Sequence, residues 1–197
     1  MTQAHTVFRD WPRFIVSLAL GCSLLSVVGL HAQVGFLDSY RQPSSIAEVV
    51  DTCPHIVHGT VTRVSAPWLE DGRFVVRTVR FALSEVPKGT DGLRGATHVE
   101  FRMWGGTVVA SGRTHALAFP YDPFEVNDEA ILCLASSTRE KGRYFVRFAE
   151  LGIFRIDTAS GSIHVPSKAY QNSSFGGRDR TSRSELLSLI RQRVTQR

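Results

Sequence analysis

Six short stretches in the middle of the chain carry the residue patterns of β-strands. The first alternates cleanly, with Val57, Gly59 and Val61 on one side, and alternation of this kind predicts a strand with one buried face. The six predicted strands are 56–64, 73–86, 97–104, 129–134, 143–148 and 153–157. Turn residues recur between them, which favours a mainly β domain, a small antiparallel barrel or sandwich of about six strands.

A helix is predicted at each end of this strand region. The segment SSIAEVV combines a serine cap with apolar residues at helical spacing, and Pro54 ends the short helix that it predicts. Near the C-terminus, Ser182 and Glu185 form a capping box before an apolar stripe, so 182–197 is predicted to be an amphipathic helix. Residues 167–181 are polar and contain Gly and Ser, which is typical of a flexible linker.

The first 32 residues are typical of a secretory signal. Two arginines precede an uncharged apolar run from Phe14 to Leu30, and Ala32 supplies the small residue of a cleavage point. A retained membrane anchor and a lipoprotein attached at Cys22 are the alternatives. Cleavage would leave 33–43 as an N-terminal extension of a single exported domain, periplasmic or secreted, that contacts the membrane only if the signal segment is kept.

The chain is basic, with a formal net charge of +5, and the excess lies in the C-terminal tail. A basic tail can attract nucleic acid or anionic lipid, but the ordinary interpretation is a solvated helix face. Export makes a nucleic-acid partner improbable. No cofactor is predicted.

Two cysteines, Cys53 and Cys133, remain after the signal segment. In an oxidising compartment such a pair predicts a disulfide, which would close a long loop and stabilise the fold. The alternative is two separate buried thiols that behave as small apolar residues.

Several fragments, in order, resemble a group of uncharacterised secreted bacterial proteins: IAEVV, IVHGTV, EVPKG, WGG, FEVNDEAILCL and GIF. The resemblance implies an OB-fold barrel of the netrin/metalloproteinase-inhibitor-like type over 44–166, and it implies no activity. Asn127 stands where that pattern prefers glycine, and asparagine tolerates the same left-handed backbone. Neither Cys53 nor Cys133 belongs to the pattern, which favours a bond between them. True metalloproteinase inhibitors use an N-terminal cysteine, whereas the expected N-terminus here is Gln33.

Motifs of known enzymes are missing from the sequence. It holds no G-x-S-x-G elbow, no H-E-x-x-H and no phosphate-binding glycine loop. The adjacent acids Asp128 and Glu129 are expected to form a solvated corner. Cys53 and His55 could share a strand face and offer two metal ligands, with His58 on the opposite face, so metal binding is only a weak alternative.

Aromatic residues mark the best candidate for a binding surface. Trp104, Phe119, Tyr121 and Phe124 lie in or beside 105–123, a segment with few pattern signals that is predicted to be a surface loop. OB-type barrels bind ligands through loop and strand-face aromatics. The sequence therefore predicts an exported, non-catalytic module that binds a protein or small ligand of the cell envelope. A modulator or inhibitor of a secreted protease, and an unrecognised hydrolase or metal-dependent enzyme, are the alternatives.

Overall fold

The computed structural model describes residues 42–89, 92–119, 122–137, 142–166, 170, 174–175 and 177–196. The predicted signal segment and most of the predicted extension lie outside these residues. The helices are α1 (Ile46–Thr52) and α2 (Arg183–Thr195), and one 3-10 turn spans Ala149–Gly152. The strands are β1 (His55–Val64), β2 (Trp68–Glu70), β3 (Phe74–Lys88), β4 (His98–Trp104), β5 (Gly106–Ala110), β6 (Arg113–Leu117), β7 (Glu129–Ser136), β8 (Tyr144–Val146), β9 (Ile153–Ile156), β10 (Ser162–His164) and β11 (Arg180–Ser182).

Five of these strands close into a barrel. β1 pairs with β3, β3 with β4, β4 with β8 and β8 with β7, and β7 returns to β1. In chain order, β1, β3 and β4 form a meander and β7 comes back beside β1, which is a Greek key. β2 lengthens the sheet beside β3, and β9, β10 and β11 extend it from β7. The mainly β fold with a short helix before the barrel and a C-terminal helix is therefore confirmed.

One pairing departs from the predicted antiparallel barrel of about six strands, because β4 and β8 are parallel. Neighbours around a closed ring can alternate in direction only when their number is even. With five strands, one pair must run the same way. That pair is β4–β8, since β8 follows β7 in an antiparallel hairpin and β7 itself runs against β1.

Two hairpin turns join strands that follow each other directly in the chain. Asp71 and Gly72 connect β2 to β3 with φ of 50° and 66°, the left-handed geometry of a tight hairpin turn. The segment expected to be an irregular loop instead contains the β5–β6 hairpin, which turns at Ser111–Gly112. This hairpin forms a separate two-stranded sheet with side chains that are half-buried or exposed, so its sequence lacks a clear apolar face.

Two apolar cores lie on opposite sides of the β1–β7 wall. The inner core fills the barrel and is built from residues such as Val57, Phe81, Phe101 and Leu132. The outer core is closed by the two helices and contains these buried residues: Ile46, Val49, Val50, Cys53, Ile56, Ile131, Cys133, Phe154, Ile156, Ile163, Val165, Tyr170, Phe175, Leu186, Leu187 and Ile190. β7 is thus buried on both faces. This explains its near-continuous apolar run EAILCL, because a strand buried on both faces needs apolar residues at successive positions.

A disulfide crosses the outer core. Cys53 and Cys133 are bonded, with their Cα atoms 5.8 Å apart, and they are 80 positions apart in sequence. The pairing is the one expected from the sequence. It joins the residue that caps the C-terminal end of α1 to the outer face of β7.

The segment expected to be a flexible linker contributes to the outer core, which corrects that expectation for its described residues. Tyr170 is fully buried and Phe175 is 3% exposed. Burial raises the pKa of the Tyr170 phenol above its ordinary value. Arg180 to Ser182 then form β11, which pairs with β10. Isolated aromatic residues in a polar stretch gave no periodic signal, so sequence alone could not place them.

The basic tail presents a solvated helix face, as expected, and its exposed arginines also form intramolecular ion pairs. The Arg191 guanidinium pairs with Glu85 on β3 through two nitrogens, at 2.9 and 2.7 Å. The Arg193 guanidinium pairs in the same way with Asp51 on α1, at 3.1 and 2.8 Å. At the other end of α2, the Ser182 hydroxyl accepts from the Glu185 amide, the predicted cap. These contacts fix α2 over the outer core.

Gly59 permits the closest approach of β1 and β3. A Cβ built on Gly59 would lie 1.9 Å from the carbonyl oxygen of Ala82 and 2.9 Å from the Phe81 ring. The backbone oxygen cannot move away without breaking the β1–β3 ladder. Gly59 is therefore a position of close backbone approach where no side chain fits.

Removal of the disulfide is expected to destabilise the protein. The variant Cys53→Ala/Cys133→Ala should lose about 2–5 kcal/mol of unfolding free energy, because the bond constrains a long loop of the unfolded chain. Denaturant titration of the oxidised wild type and the variant measures this loss. Wild type unfolded under reducing conditions is the matched control and should resemble the variant. Equal midpoints for oxidised wild type and variant would contradict the expectation.

Substitution of Gly59 tests the contact between β1 and β3. Gly59→Ala should cost about 3 kcal/mol or more, since overpacking against backbone cannot relax. Gly112→Ala is the control: a Cβ there has open space but a φ of +73°, so the cost should be about 1–2 kcal/mol from left-handed strain alone. Thermal unfolding followed by circular dichroism compares the two. If the Gly59 variant is no less stable than the Gly112 variant, a Cβ at position 59 does not clash with the Ala82 carbonyl oxygen as expected.

Candidate functional site

The structure separates the four aromatic residues that the sequence groups as a binding surface. Trp104 ends β4 and is 45% exposed, as a contact residue should be. Phe124 is only 2% exposed and its ring packs edge-on against Phe101 in the inner core, so its assignment to a surface was wrong. Phe119 is half-buried, close against Gly105. Tyr121 lies outside the described residues.

Trp104 belongs instead to an aromatic strip with Phe74 and Phe145, which are 50% and 38% exposed. Val76 pairs with Trp104 across β3 and β4, so Phe74 is a diagonal neighbour of Trp104 on the same outward face. Arg102 pairs with Phe145 across β4 and β8, which makes Phe145 the diagonal neighbour on the other side. The three rings therefore cross the outer face of three adjacent barrel strands.

Sequence analysis missed Phe74 and Phe145, although a signal for one existed. Val75, Val79 and Phe81 share the inward parity of β3. Phe74 has the opposite parity and had to point outward. Phe145 had no such signal, because β8 is only three residues long and its register is set by pairing with distant strands.

Arginines lie on the same outer face, beside the aromatic strip. Arg63, Arg80 and Glu100 form one cross-strand row over β1, β3 and β4. Two like charges directly opposite each other are unfavourable, and Glu100 compensates only from one side. Arg102, nearer the strip, forms an ion pair with Glu70 of β2. The face thus combines exposed rings with a local excess of positive charge.

A groove of about 420 Å³ opens elsewhere, between the segment before β7 and strands β9 and β10. Its size is suitable for a small ligand. Its central cation is already engaged, because Arg155 donates to Asp128 and to the carbonyl oxygen of Asp122, both at 2.5 Å, and lies 4.3 Å from the Phe124 ring centroid. Asp122, Glu150 and His164 also line the groove. The aromatic strip is the stronger candidate because its three rings are exposed to a partner.

The metal hypothesis for Cys53 and His55 was wrong. The Cys53 sulfur is bonded to Cys133, so no thiolate is present to bind a metal. Both ring nitrogens of His55 have protein partners: Nδ1 lies 2.9 Å from the Gly89 carbonyl oxygen and Nε2 lies 3.1 Å from the Ser136 hydroxyl. Within the described ranges, no group of three or more His, Cys, Asp or Glu side chains is arranged to hold a metal ion.

Asp128 and Glu129 are not the solvated corner expected from sequence. Asp128 binds Arg155, and one carboxylate oxygen of Glu129 accepts from both His58 Nε2 and Arg183 Nη1, each at 2.7 Å. Burial opposes ionisation of Glu129, but the bonds from Arg183 and His58 outweigh it, and the pKa of the carboxyl falls below its ordinary value. The network ties β1 and β7 to the first turn of α2.

No protein-family model and no curated protein matches the chain, so the resemblance to netrin/metalloproteinase-inhibitor-like barrels stays a prediction. Neither helix among the described residues combines the length and apolar character needed to cross a bilayer.

Glu129→Gln should weaken the attachment of α2 in a pH-dependent way. A carboxyl with a lowered folded-state pKa contributes stability above its unfolded pKa of about 4.5, and this contribution is lost as the pH falls through the folded-state pKa. The variant should lose about 1–3 kcal/mol at neutral pH and less below about pH 4. Denaturant titrations at both pH values measure the difference. Glu100→Gln on β4 is the control, and an equal loss at both pH values would refute the role given to the charge.

Proposed function

We propose that this protein is an exported binding module that holds an extended ligand across the outer face of β3, β4 and β8. The aromatic strip of Phe74, Trp104 and Phe145 is the observation that carries the proposal. Large exposed rings are costly to leave in water, and contiguous ones mark interaction surfaces. Tryptophan and other aromatics anchor most of the binding energy at such surfaces.

The position of the strip supports the proposal through an analogy of fold. OB-fold barrels bind chain-like ligands on the face of their second and third strands. β3 and β4 are the second and third barrel strands in chain order. The analogy extends the resemblance to OB-type secreted proteins and adds no known activity.

The charges beside the strip indicate the character of the ligand. Arg63 and Arg80 oppose each other across β1 and β3, with Glu100 opposite Arg80 on β4 and the His98 ring 3.1 Å from the Arg80 guanidinium. A negatively charged group on the ligand would relieve that repulsion and pair with a guanidinium. The proposed ligand therefore presents flat apolar groups for the rings and an acidic group for the arginines, whether it is a protein segment or another envelope molecule.

The compartment is part of the proposal. A disulfide is compatible with an oxidising environment, where such bonds persist. Together with the predicted signal segment, it favours the periplasm or the secreted fraction. Action on a secreted protease is one form that binding could take, and the aromatic strip is where such a partner would dock.

A retention experiment tests the proposal. The domain is immobilised and exposed to the envelope and secreted fractions of the producing cell, and retained molecules are compared between wild type and Phe74→Ala/Trp104→Ala/Phe145→Ala. A ligand retained by wild type should be lost from the triple variant, and Trp104→Ala alone should weaken its binding by about 30-fold or more. Quenching of tryptophan emission with the purified ligand measures that affinity.

The matched control is Val109→Ala/Val126→Ala, because these residues are 71% and 52% exposed and lie outside the strip. It should retain the ligand as wild type does. Equal retention by wild type and the triple variant, or no specific retention at all, would count against a binding role for this face.

A further inference from the structure

His55 is held in one orientation at the rim of the barrel. Its Nδ1 lies 2.9 Å from the Gly89 carbonyl oxygen, and its ring meets the Tyr144 ring edge-on, with centroids 5.5 Å apart and planes at 89°. Gly89 has a φ of +80°, and a Cβ on it would lie 2.6 Å from His55 Nδ1. A glycine is therefore required for the backbone to approach the imidazole this closely.

These contacts determine the tautomer of neutral His55. A carbonyl oxygen can only accept a hydrogen bond, so Nδ1 carries the hydrogen and donates to Gly89. Nε2 is then unprotonated, and its lone pair accepts the hydrogen bond from the Ser136 hydroxyl, 3.1 Å away. A serine is thus hydrogen-bonded to a base that is itself oriented by a third group, the arrangement of a nucleophilic catalyst.

The geometry points to Ser136 and His55 as a nucleophile–base pair that cleaves carboxylic esters with an accessible carbonyl group. Ser136 is exposed at the end of β7, so a substrate can reach its Oγ, while His55 is half-buried and fixed. The pair is separated by 81 residues in sequence and belongs to no spacing motif. Ester cleavage by this pair goes beyond the proposed binding function and does not depend on the aromatic strip.

The reaction balances with water as the only co-reactant. Ser136 Oγ bonds to the ester carbonyl carbon while its proton passes to His55 Nε2. The tetrahedral intermediate collapses, the bond to the alcohol oxygen breaks, and the alcohol leaves with the proton from Nε2. Water then attacks the acylated Ser136 with His55 again taking and returning a proton, which releases the acid and restores the hydroxyl. The Gly89 carbonyl stabilises the imidazolium at Nδ1–H throughout.

Covalent labelling of the oxidised domain with a fluorophosphonate tests the assignment, since such probes react with activated serines. Intact-mass measurement and peptide mapping should find one adduct, on Ser136. Ser136→Ala should lose it, and His55→Gln should slow labelling by about 10²–10⁴-fold, the usual contribution of a positioned base. Hydrolysis of p-nitrophenyl acetate should fall in parallel in both variants.

Ser111→Ala is the matched control, because Ser111 is also an exposed serine but lies at the tip of the β5–β6 hairpin and not beside His55. Its labelling should equal that of wild type. Circular dichroism establishes whether His55→Gln folds. If it does not, the site of the wild-type adduct and the behaviour of Ser136→Ala still decide the matter. Absence of an adduct on folded wild type, or an adduct on Ser136 that persists at the same rate in folded His55→Gln, would overturn the proposal.

Discussion

The structure depends on the need to bury both faces of β1 and β7. A five-stranded barrel covers one face of each strand with its own interior, and the outer residues Ile56, Ile131 and Cys133 still require a second layer. The two helices supply it, with the disulfide between Cys53 and Cys133 crossing the layer. The C-terminal helix, distant in sequence from the barrel, is held there mainly by its buried residues Leu186, Leu187 and Ile190. Its exposed ion pairs with Glu85, Asp51 and Glu129 add to this.

The need to cover β1 and β7 gives the outside of the barrel two different faces. Helices cover the β1–β7 wall. On the outer face of β3, β4 and β8, Phe74, Trp104 and Phe145 are exposed, although Val76 on the same face is fully buried. Exposed aromatic rings at these positions stabilise the fold less than buried rings would, because part of their apolar surface stays in water. These three residues are diagonal neighbours on β3, β4 and β8, and the proposed binding function rests on them.

The two histidines of β1 show how environment separates chemically equal groups. His58 faces the outer layer and shares one Glu129 oxygen with Arg183, so it serves attachment of the helix. His55, three residues earlier, has the opposite parity and reaches the rim, where Gly89 and Tyr144 fix its ring beside an exposed hydroxyl. Because side chains alternate along a strand, His58 stabilises the attachment of α2, whereas His55 lies on the other face of β1, near solvent.

Much of the fold follows from local patterns: the strands of alternating parity, the Asp71–Gly72 turn, the Ser182 cap and the pairing of the two cysteines. The strands, the turn and the cap depend on residues that are neighbours in the sequence. The disulfide could be predicted because only two cysteines remain after the signal segment. The burial of Phe124, Tyr170 and Phe175, the β5–β6 hairpin, the parallel β4–β8 pair and the Ser136–His55 contact could not be read in this way. Apart from the β5–β6 hairpin, which is local, they depend on strand register and closure, which bring residues distant in sequence into contact. The sequence by itself thus determined the elements and their inward faces, whereas only the tertiary structure decided which outward side chains meet, because closing the barrel sets their neighbours.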